Sequence, residues 1–490
     1  MAIVTPENVL KLLYAYNPWW RDGKIPVEYT KPAKRFAYYE AIKMLSHADL
    51  RRHIILSGAR RVGKTTLLFQ MIETLLQNKI EAKNILYVSF DHPLLKFCNM
   101  DDIMSIYQGN VSADEQYYLF FDEIQYAQDW EMWLKVFYDS HPTWRIAATG
   151  SASPVLAQGA SDSGVGRSTI IHVPTLSFYE YCELTGVSDL PNLDAKIKPT
   201  ALSKLSKIEL NALMNRLAPL QKHFYRYLTV GGFPELALTK DDYYAQRMLR
   251  EDVVDKVLKR DIPALFKVRN AAVLEKVFLY LCFHSSNIIN FSAMSKELDN
   301  TSIATVLNYV QFLEKANLIY ISNQVNLDGK KVLKAKPKIY IADAAIRNAV
   351  LMLDNVILDP VEMGTMVETA VYKHLVAFYY RYRTKVGYYR RTGGNEKEID
   401  IVVEFPTGKI IAEVKYRENA EIKETDAIVE MANNEKDGVV AALLITKKAE
   451  DYGLSHWQTK VPIMRVPAHA FLYLLGHAEK VEYLKDQSVT

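Results

Sequence analysis

Three short runs of this sequence hold residue types at spacings that can do chemistry. In the first, Gly58-Ala-Arg-Arg-Val-Gly63-Lys64-Thr65 follows the apolar run Ile54-Ile55-Leu56-Ser57 and opens a helical pattern. Glycines at the two ends of such a loop let backbone N–H groups curl around phosphates at a helix N-terminus. Lys64 is then placed to reach the β and γ phosphates, and the Thr65 hydroxyl to ligate Mg²⁺. Arg61 and Thr66 complete the set expected to hold the nucleotide. In the second run, Tyr118-Leu-Phe-Phe121 leads into Asp122-Glu123, carboxylates at the C-terminal tip of a buried strand, where open α/β sheets bind ligands. Asp122 is expected to hold the hydrated Mg²⁺, and Glu123 to orient and deprotonate the water that attacks ATP. ATP and Mg²⁺ are therefore the expected cofactors. A further strand, Arg145 to Ala148, ends in Thr149-Gly150-Ser151, whose hydroxyls could report on the γ-phosphate or could simply belong to a turn.

The third run is Glu398-Ile-Asp400-Ile-Val-Val-Glu404-Phe-Pro-Thr-Gly-Lys409-Ile-Ile-Ala-Glu413-Val-Lys415. Pro406 and Gly408 suit a type I turn. If Phe405 stands opposite Gly408, Asp400 faces Glu413, and alternation puts Lys415 on the face of Glu413. Directly opposed carboxylates repel unless something lies between them, and a divalent cation, Mg²⁺ or Mn²⁺, would serve. Metal-bound water attacking a phosphodiester is the chemistry such a site supports. No GxSxG and no Cys/His set appears, which excludes the serine-hydrolase and cysteine-protease readings.

These residues need elements to position them. Between about residues 46 and 175, apolar runs alternate with helical patterns, which predicts a parallel sheet with helices on both faces. From 196 to 285 amphipathic helical runs dominate, broken by GGFPE at 231–235. Residues 286–345 read as two short helices followed by strands around an Asp328-Gly329 turn. The remainder reads as helix, three strands, helix and strand. The expected division is an N-terminal segment (1–45), an α/β core (46–195), a helical lid (196–285), a small helix-and-hairpin module (286–345) and a mixed-sheet domain (346–490). The Trp19-Trp20 pair in the first segment reads as a docking anchor rather than a base-stacking platform.

Composition limits the function classes. Hydrophobic residues at 49% and charged residues at 24% of 490 exclude a disordered or fibrous chain. Three dispersed cysteines argue for a reducing compartment and against structural zinc. Without a signal-like start or an apolar stretch of about 18 residues, the expectation is a cytoplasmic protein with no membrane association. The net charge of +3 is unevenly spread: residues 201–350 hold 22 Lys and Arg against 14 Asp and Glu. A local basic surface is the footprint of a polyanion, although helical bundles are often basic for solubility alone.

GARRVGKTT, FFDEIQ, TGSAS, the Gly166-Arg167 pair, GGFPE and the run ending in Asp343 resemble, in that order, the bacterial and archaeal family of ATP-binding proteins joining an AAA+ module to a C-terminal domain of unknown function with a restriction-endonuclease-like core. The resemblance implies that Arg167 is an arginine finger acting on a neighbouring subunit's nucleotide, hence a homo-oligomer. Residues 286–345 resemble a winged helix. The lysines Lys330, Lys331, Lys334, Lys336 and Lys338 would line its wing and contact DNA phosphates; in ATPases such modules also serve as packing lids or protein contacts. The Asp400, Glu413, Lys415 set resembles the PD-(D/E)xK nucleases, with Asp400 and Glu413 as metal ligands, Lys415 as the catalytic lysine, and Glu368 as the helix glutamate that some members add to the metal site. The implied function is a Mg²⁺-dependent ATPase whose cycle controls a nuclease-like domain acting on DNA. The alternative is an ATP-gated switch whose C-terminal domain binds DNA or a protein partner without cutting.

Overall fold

A computed structural model describes all residues except 1–4, 48, 50, 151–165, 189, 326–334, 354–355, 383, 392–396, 435–437 and 488–490. The chain forms two compact units: Met1–Pro174 with Lys315–Asn317 and Tyr483–Thr490, and Thr175–Glu314 with Leu318–Glu482.

Among the described residues the first unit is built on five strands, β1 (His53–Ser57), β2 (Ile85–Ser89), β3 (Tyr118–Asp122), β4 (Arg145–Gly150) and β5 (Ser168–His172), ordered β2-β3-β4-β1-β5 and all parallel. β1, β2 and β3 are buried along their whole length, as continuous apolar runs require of strands covered on both faces. Helices Lys64–Gln77, Met100–Asn110 and Trp130–Ser140 make crossovers between successive strands. The outer edge of β2 is not left bare. The Asn17 side chain donates to the Tyr87 carbonyl at 2.9 Å and accepts from the Tyr87 N–H at 2.6 Å. The Trp19 and Trp20 indoles both donate to the Ile85 carbonyl, at 3.0 and 2.8 Å. The tryptophan pair is thus an anchor that covers a sheet edge.

The second unit begins with helices, among them Lys207–Leu217, Gln221–Val230 and Ala271–Phe283, in the segment expected to be helical. Among the described residues nine strands follow: β6 (Asn287–Ile288), β7 (Ile319–Gln324), β8 (Lys338–Ile341), β9 (Lys385–Arg391), β10 (Lys397–Phe405), β11 (Gly408–Lys415), β12 (Val439–Thr446), β13 (Gly453–Leu454) and β14 (Ile463–Pro467). They form one sheet in the order β13-β14-β12-β11-β10-β9-β7-β8-β6. The boundary expected at 345/346 therefore separates strands that share a sheet. β7 and β9 pair in parallel through Asn323↔Gly387 and Gln324↔Tyr388. A Cβ at Gly387 would lie 2.1 Å from the Asn323 carbonyl oxygen, so glycine is what lets the two strands meet. The Asp328-Gly329 turn lies outside the described residues.

The GGFPE run and Asp343 belong to one buried network in this unit. Asp343 and Lys373, from helix Pro360–Tyr379, each have side chains only 3% exposed and pair at 3.0 Å. Asp343 Oδ2 also accepts from the Thr175 hydroxyl at 2.8 Å and the Gly232 N–H at 3.1 Å, and Lys373 donates to Thr175 Oγ1 at 2.9 Å. Gly231 has φ +81°, and a Cβ there would lie 2.8 Å from Asp343 Oδ1. Removing one partner leaves an uncompensated buried charge, which costs about 3–5 kcal/mol. Lys373→Met is therefore expected to lower unfolding free energy in urea by about that amount, with partial recovery in Asp343→Asn/Lys373→Met. A single variant as stable as the parent would contradict this account.

Candidate functional site

β1 ends at Ser57 and the chain turns through residues 58–63 into helix Lys64–Gln77. The loop is possible only with its glycines: a Cβ at Gly58 would lie 2.2 Å from the Val173 carbonyl oxygen, and Gly63 caps the helix at φ +94°. Arg61 is exposed in this loop at φ 60°, and Thr66 lies half-buried in the first helical turn. Lys64 is 5% exposed, and its ammonium donates to the Gly58 and Ala59 carbonyls, each at 2.9 Å. Arg35 braces the loop from outside the motif, donating through Nη1 to the Val62 carbonyl at 2.9 Å and the Pro174 carbonyl at 2.8 Å. No spacing rule points to Arg35.

Asp122 is 4% exposed at the tip of β3. Its Oδ2 accepts from the Thr65 hydroxyl at 2.8 Å and the Tyr87 hydroxyl at 2.9 Å, and its Oδ1 accepts from the Thr149 hydroxyl. Thr149 Oγ1 in turn accepts from the Glu123 N–H at 3.0 Å. The described role of Thr149 is thus to fix the two acidic residues, through the β3–β4 pairing. Ser151 lies outside the described residues. Glu123 sits at φ 49°, its carboxylate accepts from the Gln125 side chain, and burial raises its pKa against the pull of Lys64. A carboxylate so displaced is better able to take a proton. Tyr87 escapes sequence reasoning; its one signal is a hydroxyl in an otherwise apolar buried strand, which must find a partner. Arg167 is tied to Asp139 of its own chain, Nε to Oδ1 at 3.0 Å.

In the second unit the β10–β11 register is the one the turn predicts, with Phe405 opposite Gly408 and Ile401 opposite Ala412. The paired stretch ends there, with Asp400 and Glu413 the next residue on each strand. Asp400 Oδ2 accepts from the Val414 N–H at 2.9 Å, and Lys415 pairs with Glu413 Oε1 at 2.6 Å. Glu413 is 8% exposed and its Oε2 has no hydrogen-bond partner. Burial, and then the Asp400 charge, push its pKa up to about 8; the same two causes push Glu368 up to about 7. Tyr340 donates to Glu368 Oε1 at 2.8 Å.

Lys338 departs from expectation. It is 3% exposed and lies among Glu398 at 2.5 Å, Glu368 at 3.4 Å and Asp400 at 3.5 Å, so it has no surface to offer a nucleic-acid phosphate. Burial alone would lower its pKa, but the three carboxylates outweigh it and hold the ammonium charged. Period two puts Lys338 and Tyr340 on one face of β8, and Glu398 and Asp400 on one face of β10, a signal present in the sequence. Lys336 is exposed, whereas Lys330, Lys331 and Lys334 lie outside the described residues. Among the described residues no group of three or more His, Cys, Asp or Glu could hold a metal ion. Asp400 and Glu413 remain as a pair, and hydrated Mg²⁺ is commonly held by one or two carboxylates. The partnerless Glu413 oxygen fits that use.

Residues 50–182 match a family described as an AAA domain; residues 221–356 and 363–466 match two families described as domains of unknown function. An uncharacterized protein of Haemophilus influenzae is 25% identical over 403 residues, 80% of this chain and 88% of that one. An uncharacterized protein of Methanocaldococcus jannaschii is 25% identical over 377 residues, 76% of each chain. Among solved structures, a Walker-type ATPase of Pyrococcus abyssi is similar over 67% of this chain and 98% of its own, at 14% identity and a TM-score of 0.40. The ORC2 protein of Aeropyrum pernix is similar over 67% of this chain and 97% of its own, at 16% identity and a TM-score of 0.35. The first unit thus carries an AAA-type P-loop domain, a fold that supports ATP binding. Among the described residues no helix is long and apolar enough to cross a membrane.

The 2.2 Å approach at Gly58 leads to a specific expectation. Gly58→Ala should force the loop off its path and weaken binding of a fluorescent ATP analogue at least about tenfold, the scale of one lost phosphate contact. Parent-like affinity would show that the loop tolerates the shift.

Proposed function

We propose that this protein is a Mg²⁺-dependent ATPase whose nucleotide cycle controls a C-terminal domain acting on nucleic acid. The observation that carries the reading is the Asp122 carboxylate, held by the hydroxyls of Thr65, Tyr87 and Thr149 at the mouth of the phosphate loop. The amides of residues 58–65 and the Lys64 ammonium bind the phosphates. Thr65 and Asp122 hold Mg²⁺, which when bound neutralises phosphate charge. Glu123, with its backbone fixed by Thr149, orients the water and takes its proton. Arg167 is the arginine a neighbouring copy would supply, which makes the active species a homo-oligomer.

In the C-terminal domain, Asp400 and Glu413 would hold one divalent cation and Lys415 would stabilise charge on a phosphodiester. DNA is the favoured polymer, supported by the excess of Lys and Arg in residues 201–350 and by the run Lys330, Lys331, Lys334, Lys336. One observation favours a second reading, an ATP-gated switch that binds without cutting: Lys338 already neutralises part of the carboxylate set.

Lys64→Ala is expected to abolish ATP binding, and Glu123→Gln to bind ATP while turnover falls at least about a hundredfold, the usual range for a general base. Undiminished hydrolysis by the Glu123 variant would remove it from that role. With labelled single- and double-stranded DNA in Mn²⁺, cleavage by the parent and its loss in Asp400→Ala support a nuclease. Binding without cleavage, equal in both proteins, selects the switch.

A further inference from the structure

The carboxylate site of the second unit gathers four acidic side chains, Glu368, Glu398, Asp400 and Glu413, and two ammonium groups, Lys338 and Lys415. The two lysines are not equivalent. Lys415 sits at one margin, paired with Glu413 at 2.6 Å and a quarter exposed at its side chain. Lys338 arrives from β8, outside the hairpin that carries the other lysine, and its side chain is 4% exposed. It lies within 3.5 Å of carboxylate oxygens on Glu368, Glu398 and Asp400, which come from a helix and a strand. An ammonium held by three carboxylates has the charge environment of a bound cation. Tyr340, two residues along the same strand, adds its hydroxyl to Glu368.

Glu413 differs from the three carboxylates that Lys338 meets. Glu413 Oε2 is buried and accepts no hydrogen bond. A buried carboxylate oxygen without a donor is costly, and a cation relieves that cost directly. Asp400, next in line after the paired residues Ile401 and Ala412, is the neighbouring carboxylate whose charge acts on Glu413. The cluster therefore has three carboxylates served by Lys338 and, on Glu413, one unanswered acceptor.

We propose that Lys338 is a built-in cation that takes the place of a second metal ion, so that the site accepts a single divalent cation, held by Asp400 and Glu413. The inference rests on the reading of Asp400 and Glu413 as metal ligands. Lys338 is a positioning residue: it fixes Glu368, Glu398 and Asp400 and repels a second divalent ion from those three carboxylates, because like charges a few ångströms apart repel. Its charge also remains when the metal leaves, which keeps Asp400 in place between binding events.

The test is Mn²⁺ alone, titrated into the nucleotide-free full chain and counted by electron paramagnetic resonance. Only Mn²⁺ lost on adding Asp400→Asn to each background is assigned to this site, which separates it from any ion at the phosphate loop. One such Mn²⁺ is expected in the parent and in Lys338→Arg, and two in Lys338→Met. One Mn²⁺ of unchanged affinity in Lys338→Met overturns the role of Lys338 while leaving the metal ligands standing. No Asp400-dependent Mn²⁺ in any protein overturns the ligand reading and this proposal with it. Where Lys338→Met weakens the fold, Mn²⁺ is expected to raise its Tm by more than that of the parent, since a ligand stabilises what it binds; an equal rise counts against the proposal.

Discussion

A buried carboxylate must be given hydrogen-bond donors, and Asp122 draws its three from three different elements. Thr65 comes from the helix after the phosphate loop, Tyr87 from β2 and Thr149 from β4. Each donor is delivered by a separate parallel pairing or crossover, so the carboxylate is satisfied only when the sheet order β2-β3-β4-β1 is complete. The N-terminal segment takes part in the same constraint. Asn17 grips the backbone of Tyr87, and with Trp19 and Trp20 it fixes the strand from which the Tyr87 hydroxyl projects. The ATP site is in this sense the convergence point of the first unit.

The second unit holds two buried ionic clusters of unlike character. Around Asp343 and Lys373 every charge is answered: the carboxylate has an ammonium, a hydroxyl and an N–H, and the glycines beside it leave no room for anything else. Such a network orders helices and strand ends into one arrangement. Around Asp400 the acids outnumber the lysines, and one oxygen remains without a donor. Excess buried charge of one sign is poor structural material and good ligand chemistry. The contrast between the clusters is what the proposal of a ligand at the second one rests on.

Much of this was legible in the residues. The loop from Gly58 to Thr65, the acidic tip of β3 and the alternation of strand and helix follow from local rules, because each is set by near neighbours in the chain. The β10–β11 register is equally local, since Pro406 and Gly408 specify where the chain reverses. What escaped is long-range. Arg35 meets Val62 and Pro174 across 27 and 139 residues, and nothing in its own neighbourhood announces either partner. Lys338 reads as one of five wing lysines by composition, yet burial places it among acids contributed by residues 368, 398 and 400. The pairing of β7 with β9 joins two segments that differ in pattern, and only Gly387 hints that another backbone comes close.

The return of the chain to its first unit has a consequence for synthesis. Tyr483 stacks on Phe36 with ring centroids 5.9 Å apart and donates to Glu40 at 3.3 Å, a contact spanning 443 residues. A ribosome must therefore release nearly the whole second unit before the helix Phe36–Leu45, which packs on β1 and β5, gains this last cover. Until then the nascent nucleotide-binding unit exposes aromatic surface for the time needed to translate several hundred residues, on the order of tens of seconds. Such an interval is long enough for a chaperone to engage it, and it makes the covering of this helix wait on synthesis of the second unit.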